Sequence, residues 1–452
     1  MRYFLRVLCL LLVFTFLLLS TPLAVGASSF DEGLPDMKMA KNVYFENIDT
    51  KTVIVAKDAD AKIPPASTVK ILTGLIALEY FEKDPEQIVT VSDKIPSSYS
   101  GSYLGLLPGD EIRAIDLIYA TVCGGYNDAA YALAAAVSGT SDAFVKLMNK
   151  RLSELGAKDT HYTNPTGMDD EKMYTTLKDT ARIAKAAAQN EAYLQISSAV
   201  ARKISYVSKN TVEEFTVNNK NSLISAHYAA GYTNLHASGL IAGMTDEGGY
   251  CVATQARIGD ASYICIVMGG FKSGGSIGSF EIANSLIQYA KANLGFTKVM
   301  DKGTKICDVP IEMTLSSSSS KEETVKISAC VQDDVLLFLP RGVDFQKEVS
   351  YRHYLYEDTL IAPVAAGTRV GGVDFFYRGE LIATAPLVVS EDAEANEFLL
   401  KMQSFKSAIF SRTTLISLAL FSALLPLYFA IEHKQKSRRS KKAFKITSSR
   451  RL

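Results

Sequence analysis

Two side chains able to make and break an acyl bond stand three residues apart in Pro64-Pro65-Ala66-Ser67-Thr68-Val69-Lys70. Prolines cannot sit inside a helix but can lead into one, which predicts a helix beginning near Ala66 or Ser67. Ser67 and Lys70 then share a face, with about 5–6 Å between their Cβ atoms. The positive end of the helix lies at Ser67, where backbone N–H groups can hold a developing oxyanion. Ile71, Leu72, Leu75, Ile76, Leu78 and Tyr80 surround the helix on most sides, the pattern of a buried central helix. A lysine desolvated there has a depressed pKa and can take the serine proton near neutral pH. Ser-x-x-Lys alone is a weak signal. Ser318-Ser319-Ser320-Lys321 matches it too, but in a serine run with no apolar helix behind it, which reads as a solvated loop.

The elements around this pair alternate in type. Asn42 to Val55 reads as a hairpin around Asp49-Thr50-Lys51. Leu104 to Ile118 carries a Pro108-Gly109-Asp110 turn and then a helix. Gly124-Gly125-Tyr126-Asn127-Asp128 runs into an Ala-rich helix with Asn127 or Asp128 near its N-cap. Further helices are expected over Ser141 to Leu155, Thr175 to Gln189 and Ser279 to Asn293, with strands from Ala199, notably Gly249 to Arg257 and Ala261 to Gly269. Helices flanked by sheet from both ends point to an α/β sandwich over 36–298. Residues 303–390 read as a small all-β domain, and 391–412 as a helical stalk.

The ends of the chain carry export signals. Residues 1–27 have Arg2 and Arg6, an apolar stretch and a small-residue cleavage site, a signal peptide whose alternative is an uncleaved anchor. Residues 413–431 lack any charge and are long enough for a transmembrane helix. The tail 432–452 holds nine basic residues against Glu432, which places it in the cytoplasm and the rest outside. Of the 48 residues of each sign, removing the two basic ones of the leader and these tail charges leaves the exported part at a formal −10. That balance excludes nucleic acid as a natural partner. Cys123, Cys251, Cys265, Cys307 and Cys330 form neither a disulfide framework nor a zinc pattern, and no metal or cofactor is expected.

From Ala40 onward the chain resembles the low-molecular-mass penicillin-binding proteins, the serine-type D-alanyl-D-alanine carboxypeptidases. The resemblance rests on Pro64 to Lys70, Gly105-Leu106-Leu107-Pro108-Gly109-Asp110 and Asn127-Asp128-Ala129-Ala130. It continues through Asn164-Pro165-Thr166-Gly167-Met168-Asp169-Asp170, Thr245-Asp246-Glu247-Gly248-Gly249-Tyr250 and Ala362-Pro363-Val364. It implies a β-lactamase/transpeptidase-like sandwich, a C-terminal β domain and a membrane anchor. The implied reaction is acylation of Ser67 by a peptidoglycan stem peptide, release of the terminal D-Ala and hydrolysis, with β-lactams as inhibitors. Ser67 would be the nucleophile, Lys70 its base, and Asn127 the residue orienting Lys70 and the substrate amide. Gly243, Met244 and Thr245 would bind substrate, the N–H groups of Ser67 and Met244 forming the oxyanion hole.

Two of the family's three motifs depart from the pattern. Gly125-Tyr126-Asn127 stands for Ser-x-Asn, so the proton-relaying hydroxyl is missing. In Gly239-Leu240-Ile241-Ala242-Gly243-Met244-Thr245, Ile241 and Ala242 replace the Lys and Thr of Lys-Thr-Gly that hold the substrate carboxylate. Lys203, Lys220, His227 and His236 are nearby cations by sequence and read as surface residues. Two functions from different classes follow. One is a membrane-anchored serine carboxypeptidase of the cell wall. The other is a non-catalytic relative that binds or scaffolds wall material. A β-lactamase, the third reading, suits the β domain and anchor less well.

Overall fold

The computed structural model describes residue 30 and residues 32–96, 100–312, 324–394, 416, 420–422, 424–434 and 436. The chain divides into two compact units. The first comprises Met1–Val299 with Leu336–Ser350 and Phe375–Ala383, and the second the remainder from Met300 onward.

In the first unit, β1 (Ala40–Asn47) and β2 (Thr52–Lys57) form the expected hairpin, closed by Asn47 Oδ1 accepting from the Thr50 N–H at 2.9 Å. A 3-10 turn, Ala66–Thr68, leads into α1 (Val69–Tyr80), every residue of which from Val69 to Leu78 is buried. The small strands β3 (Ile88–Thr90) and β4 (Glu111–Arg113) precede α2 (Ala114–Val122), α3 (Asn127–Ser138), α4 (Ser141–Glu154), α5 (Leu177–Gln189) and α6 (Glu191–Ser197). A long hairpin, β5 (Ala201–Ser208) and β6 (Thr211–Asn218), pairs with β4. Then come β7 (Ala237–Thr245), β8 (Gly249–Ile258), β9 (Ala261–Gly270) and α7 (Gly278–Asn293).

The central sheet has the order β2-β1-β9-β8-β7, with all pairs antiparallel. Thus the two chain ends of the unit meet as neighbouring strands β1 and β9, as the α/β sandwich requires. Strand β9 shows why the unit has two cores. Ile264, Ile266 and Met268 join α1 and the helical cluster, while Tyr263, Cys265 and Val267 join Phe280, Leu286 and Ile287 of α7. A period of two with both faces apolar is what a sheet covered on both sides demands. Cys123, Cys251, Cys265 and Cys330 are buried as unpaired thiols, and Cys307 is half-buried. Among the described residues no cluster of His, Cys, Asp or Glu could hold a metal ion.

The second unit is mainly strands. Its chain contributes to a six-stranded sheet in which Lys305–Glu312 and Thr324–Val331 pair antiparallel. The expected leader, most of the stalk and most of the basic tail lie outside the described residues, as does the second Ser-x-x-Lys copy. Of the expected span 413–431, residues 416, 420–422 and 424–431 are described, and they are helical. Among the described residues no helix is long and apolar enough to cross a membrane.

One turn behind α1 fixes the position of Ser67. Asn164 Oδ1 accepts from the N–H groups of Thr166 at 3.1 Å and Gly167 at 2.8 Å, and its Nδ2 donates to Met168 O at 3.0 Å. Gly167 has φ +78, and a Cβ there would stand 1.8 Å from Ala66 O. Ala66 itself has φ +48, a left-handed conformation that costs a non-glycine residue about 1–3 kcal/mol. The close turn is what holds that conformation in place. Gly167→Ala is therefore expected to destabilise the protein by more than about 2 kcal/mol and to weaken acylation of Ser67, because the turn must retreat. Urea unfolding beside penicillin labelling checks this, and a wild-type midpoint would refute it.

Candidate active site

Ser67 lies in the 3-10 turn, half-exposed, on a cleft of ≈ 210 Å³ that Ser102, Gly125, Asn127, Lys220, Gly243 and Thr245 also line. The prolines explain the local geometry. Pro65 caps the turn at φ −73, and Thr68 Oγ1 donates back to Pro65 O at 2.6 Å. A regular α-helix begins only at Val69, two residues after the serine.

Lys70 follows on the same side and is 2% exposed. Its Nζ donates to Thr166 O at 2.7 Å and reaches Ser67 Oγ at 3.5 Å. Burial, with a smaller contribution from the nearby Lys220 charge, brings its pKa down to about 7. At neutral pH a substantial fraction is the free amine, a base aimed at the serine hydroxyl.

Asn127 is the first residue of α3. The cap position belongs to Tyr126, which makes no side-chain cap bond, and Asn127 and Asp128 follow it directly, near the cap as expected. Both side chains are committed elsewhere. Asn127 Nδ2 donates to Ser100 O at 2.6 Å, and its buried Oδ1 has no hydrogen-bond partner. An orphaned buried acceptor on a cleft wall is suited to a substrate N–H. The Asp128 carboxylate accepts the N–H groups of Leu104, Gly105 and Leu106 at 2.9, 2.7 and 3.0 Å, tying the segment after Ser102 to α3.

Strand β7, at the edge of the central sheet, supplies the opposite wall. A Cβ at Gly243 would stand 2.3 Å from Ser67 Oγ, so only glycine lets the strand approach the nucleophile this closely. Met244 is exposed beside it, and Thr245 Oγ1 accepts the Gly248 N–H at 3.0 Å, closing the turn into β8. Ile241 and Ala242 do not face the cleft. Ile241 is buried among the helical core, and Ala242 belongs to the core on the other face of the sheet.

The expected surface cations separate. Lys203 pairs with Glu214 at 2.7 Å in solvent, His227 is exposed and His236 is half-buried. Lys220 departs from the expectation. It lines the cleft, its Nζ donates to Ser102 Oγ, and burial lowers its pKa to about 8. Its backbone is fixed on both sides. Asn219 Nδ2 donates to Ser197 O and Ala199 O, both at 2.8 Å, and Asn221 Nδ2 donates to Gly239 O at 2.7 Å. The Asn-Lys-Asn triplet was the available sequence signal, since two amides flanking a lysine right after a strand can lock its backbone. Ser102, Tyr228, Tyr250 and Phe280 also line the cleft and carried no signal of their own.

The sequence profile described as D-alanyl-D-alanine carboxypeptidase matches residues 32–272, more than half of the chain. The chain belongs to this family. Residues 296–395 match the C-terminal domain of penicillin-binding protein 5. Similar curated proteins include the D-alanyl-D-alanine carboxypeptidase DacF of Bacillus subtilis, 25% identical over 80% of this chain and 87% of that protein. Another is the DacD enzyme of Salmonella typhimurium, 28% identical over 82% of this chain and 91% of that protein. Among solved structures, penicillin-binding protein 5 of Haemophilus influenzae shares the fold at 24% identity and a TM-score of 0.58, covering 80% of this chain and 98% of its own. By family the protein is a serine-type D-Ala-D-Ala carboxypeptidase, a hydrolase.

The amine of Lys70 must be unprotonated to act, so acylation of Ser67 is expected to fall about tenfold per pH unit below about 7 and to flatten just above it. Lys70→Met should lose about 10²–10⁴-fold on the plateau and lose the dependence on pH. Rapid labelling with a fluorescent penicillin from pH 5 to 9 measures both, and a flat profile would remove Lys70 from the role of base.

Proposed function

We propose that this protein carries out acyl transfer on peptidoglycan stem peptides ending in D-Ala-D-Ala, through an acyl-enzyme on Ser67. The observation that carries this is the half-exposed Ser67 beside a fully buried Lys70, a substantial fraction of whose amine is unprotonated at neutral pH. Ser67 Oγ attacks the penultimate D-Ala carbonyl as its proton passes to Lys70 Nζ. The unpartnered Asn127 Oδ1 accepts the substrate amide N–H. Gly243 brings β7 against Ser67, so that the N–H groups of Ser67 and Met244 can serve the tetrahedral oxyanion. Thr245 bounds the substrate cleft. The terminal D-Ala leaves and water releases the shortened peptide. A β-lactam would acylate the same serine.

The buried Ile241 and Ala242 favour the second reading, a wall-binding relative without turnover. Charge-assisted hydrogen bonds to the substrate carboxylate contribute about 1.5–3 kcal/mol each. No side chain at 241 or 242 provides them. Capture of the terminal carboxylate should therefore be weak, and the Michaelis constant high, even where chemistry proceeds.

We also propose export and retention at the cell membrane, with the folded units outside, a C-terminal anchor over 413–431 and a cytoplasmic basic tail. The support is the uncharged stretch itself, the exposed Leu420, Phe421, Leu424, Leu427 and Phe429 within it, and the charges that follow.

Intact mass of the full chain in detergent, after incubation with a penicillin, tests the acylation. The expected result is one added penicillin on the wild type and none on Ser67→Ala. An unmodified wild type would sink the enzyme reading and leave the binding relative.

A further inference from the structure

The acyl transfer proposed above needs a proton for the departing amine, and Gly125 has removed the hydroxyl that a Ser-x-Asn triplet would offer. The space is not empty. Gly125 has φ +65, and a Cβ there would stand 3.4 Å from Lys220 Cδ and 3.6 Å from Lys220 Nζ. The ammonium of Lys220 thus sits where a side chain at position 125 would project. The Ser102 hydroxyl accepts from it, and the Tyr126 ring lies 5.7 Å from it. Two buried asparagines hold the backbone on either side, so the aim of the side chain is built into the fold. Lys220, Ser67 and Asn127 line one cleft.

We propose that Lys220 is a catalytic residue of this site, the proton donor to the leaving amine in acylation and the acceptor of the water proton in deacylation, with Ser102 as its positioning residue. The inference rests on the Ser67 acyl-enzyme reading and deepens it.

The protons balance over the cycle. In acylation the Ser67 Oγ–carbon bond forms and the carbon–nitrogen bond to the terminal D-Ala breaks. The serine proton moves to Lys70, and a Lys220 proton moves to the departing nitrogen. In deacylation water attacks the acyl carbon, its proton restores the Lys220 ammonium, and Lys70 returns a proton to Ser67 as the ester bond breaks. A group that is charged near neutral pH and gives its proton up readily suits that duty, and burial moves Lys220 toward it. The Lys220 charge also pushes the Lys70 pKa down, so the donor helps keep the base unprotonated.

Leaving-group dependence isolates this role. Two substrates with the same acyl peptide are compared, one ending in D-Ala through an amide and one ending in thiolactate through a thioester. Both carry the terminal carboxylate and both need Ser67 and Lys70, but a thiolate leaves without a proton. Lys220→Met should lower acylation by the amide about 10²–10³-fold and by the thioester less than about tenfold. Lys220→Arg keeps the charge on a group that does not give up its proton, and should show the same amide-selective loss. Ser102→Ala should show a smaller loss with the same selectivity. The thioester reaction reports that each variant is folded.

Equal losses on both substrates, as a carboxylate-binding role would give, overturn the proposal. So does full amide activity of Lys220→Arg, or a wild type that takes the thioester but not the amide. A wild type that reacts with neither substrate overturns the Ser67 reading itself.

Discussion

The site depends on a lysine kept out of water. Lys70 is buried in the centre of the first unit, and the strongest acceptor fixed on its amine is a single backbone carbonyl, Thr166 O at 2.7 Å. An isolated ammonium in such a place is costly, and the group relieves the cost by losing its proton. The cost and the reactivity have the same origin. The fold must be stable enough elsewhere to carry it, which the two apolar layers around β9 provide. It must also keep water from reaching Nζ except through the cleft, which is why α1 is buried along nearly its whole length rather than amphipathic.

Holding the carbonyl in place explains the otherwise scattered polar residues of the helical cluster. Asn164 braces the turn with its side-chain oxygen, Thr73 Oγ1 donates to Pro165 O at 2.7 Å, and Lys70 takes the next carbonyl. Helix and turn are thus joined by two adjacent bonds, and Gly167 lets the turn come close enough for both. The same logic operates across the cleft, where Gly243 admits β7 to the serine. Close approach of backbone to nucleophile is made on both sides by residues with no side chain.

Much of this was legible in the sequence, and the parts that were not share a reason. Apolar spacing located α1, and proline placed the start of helical structure near Ala66, because both effects are local, although the α-helix itself begins only at Val69. Strands β8 and β9 were readable from their residue types. Asn127 and Asp128 stand next to the cap of α3, as read, but the Asn127 amide is spent on Ser100 O, a contact that the spacing of residues does not encode. Lys220 was the larger departure. It lies 150 residues beyond Lys70 in the chain, and a lysine after an exposed hairpin ordinarily faces solvent. What turns it inward is the pair Asn219 and Asn221, which bond to Ser197, Ala199 and Gly239 on separate elements. Only the assembled fold brings those carbonyls together.

The residues at 125, 241 and 242 act on different parts of the site. Lys70 and Lys220 are close enough for the charge of one to depress the pKa of the other. Isoleucine at 241 joins the helical core as ordinary apolar packing, and glycine at 125 leaves the volume that the Lys220 side chain enters. Lys220 is the cation that lines the cleft, on the wall beside Asn127. On the strand, a cation meets the carboxylate of the substrate. Beside Asn127, it meets the bond being broken. The residues at 241 and 242 weaken ground-state capture while the glycine at 125 leaves room for a proton donor, and binding lost to the substrate alone costs affinity more than it costs the chemical step.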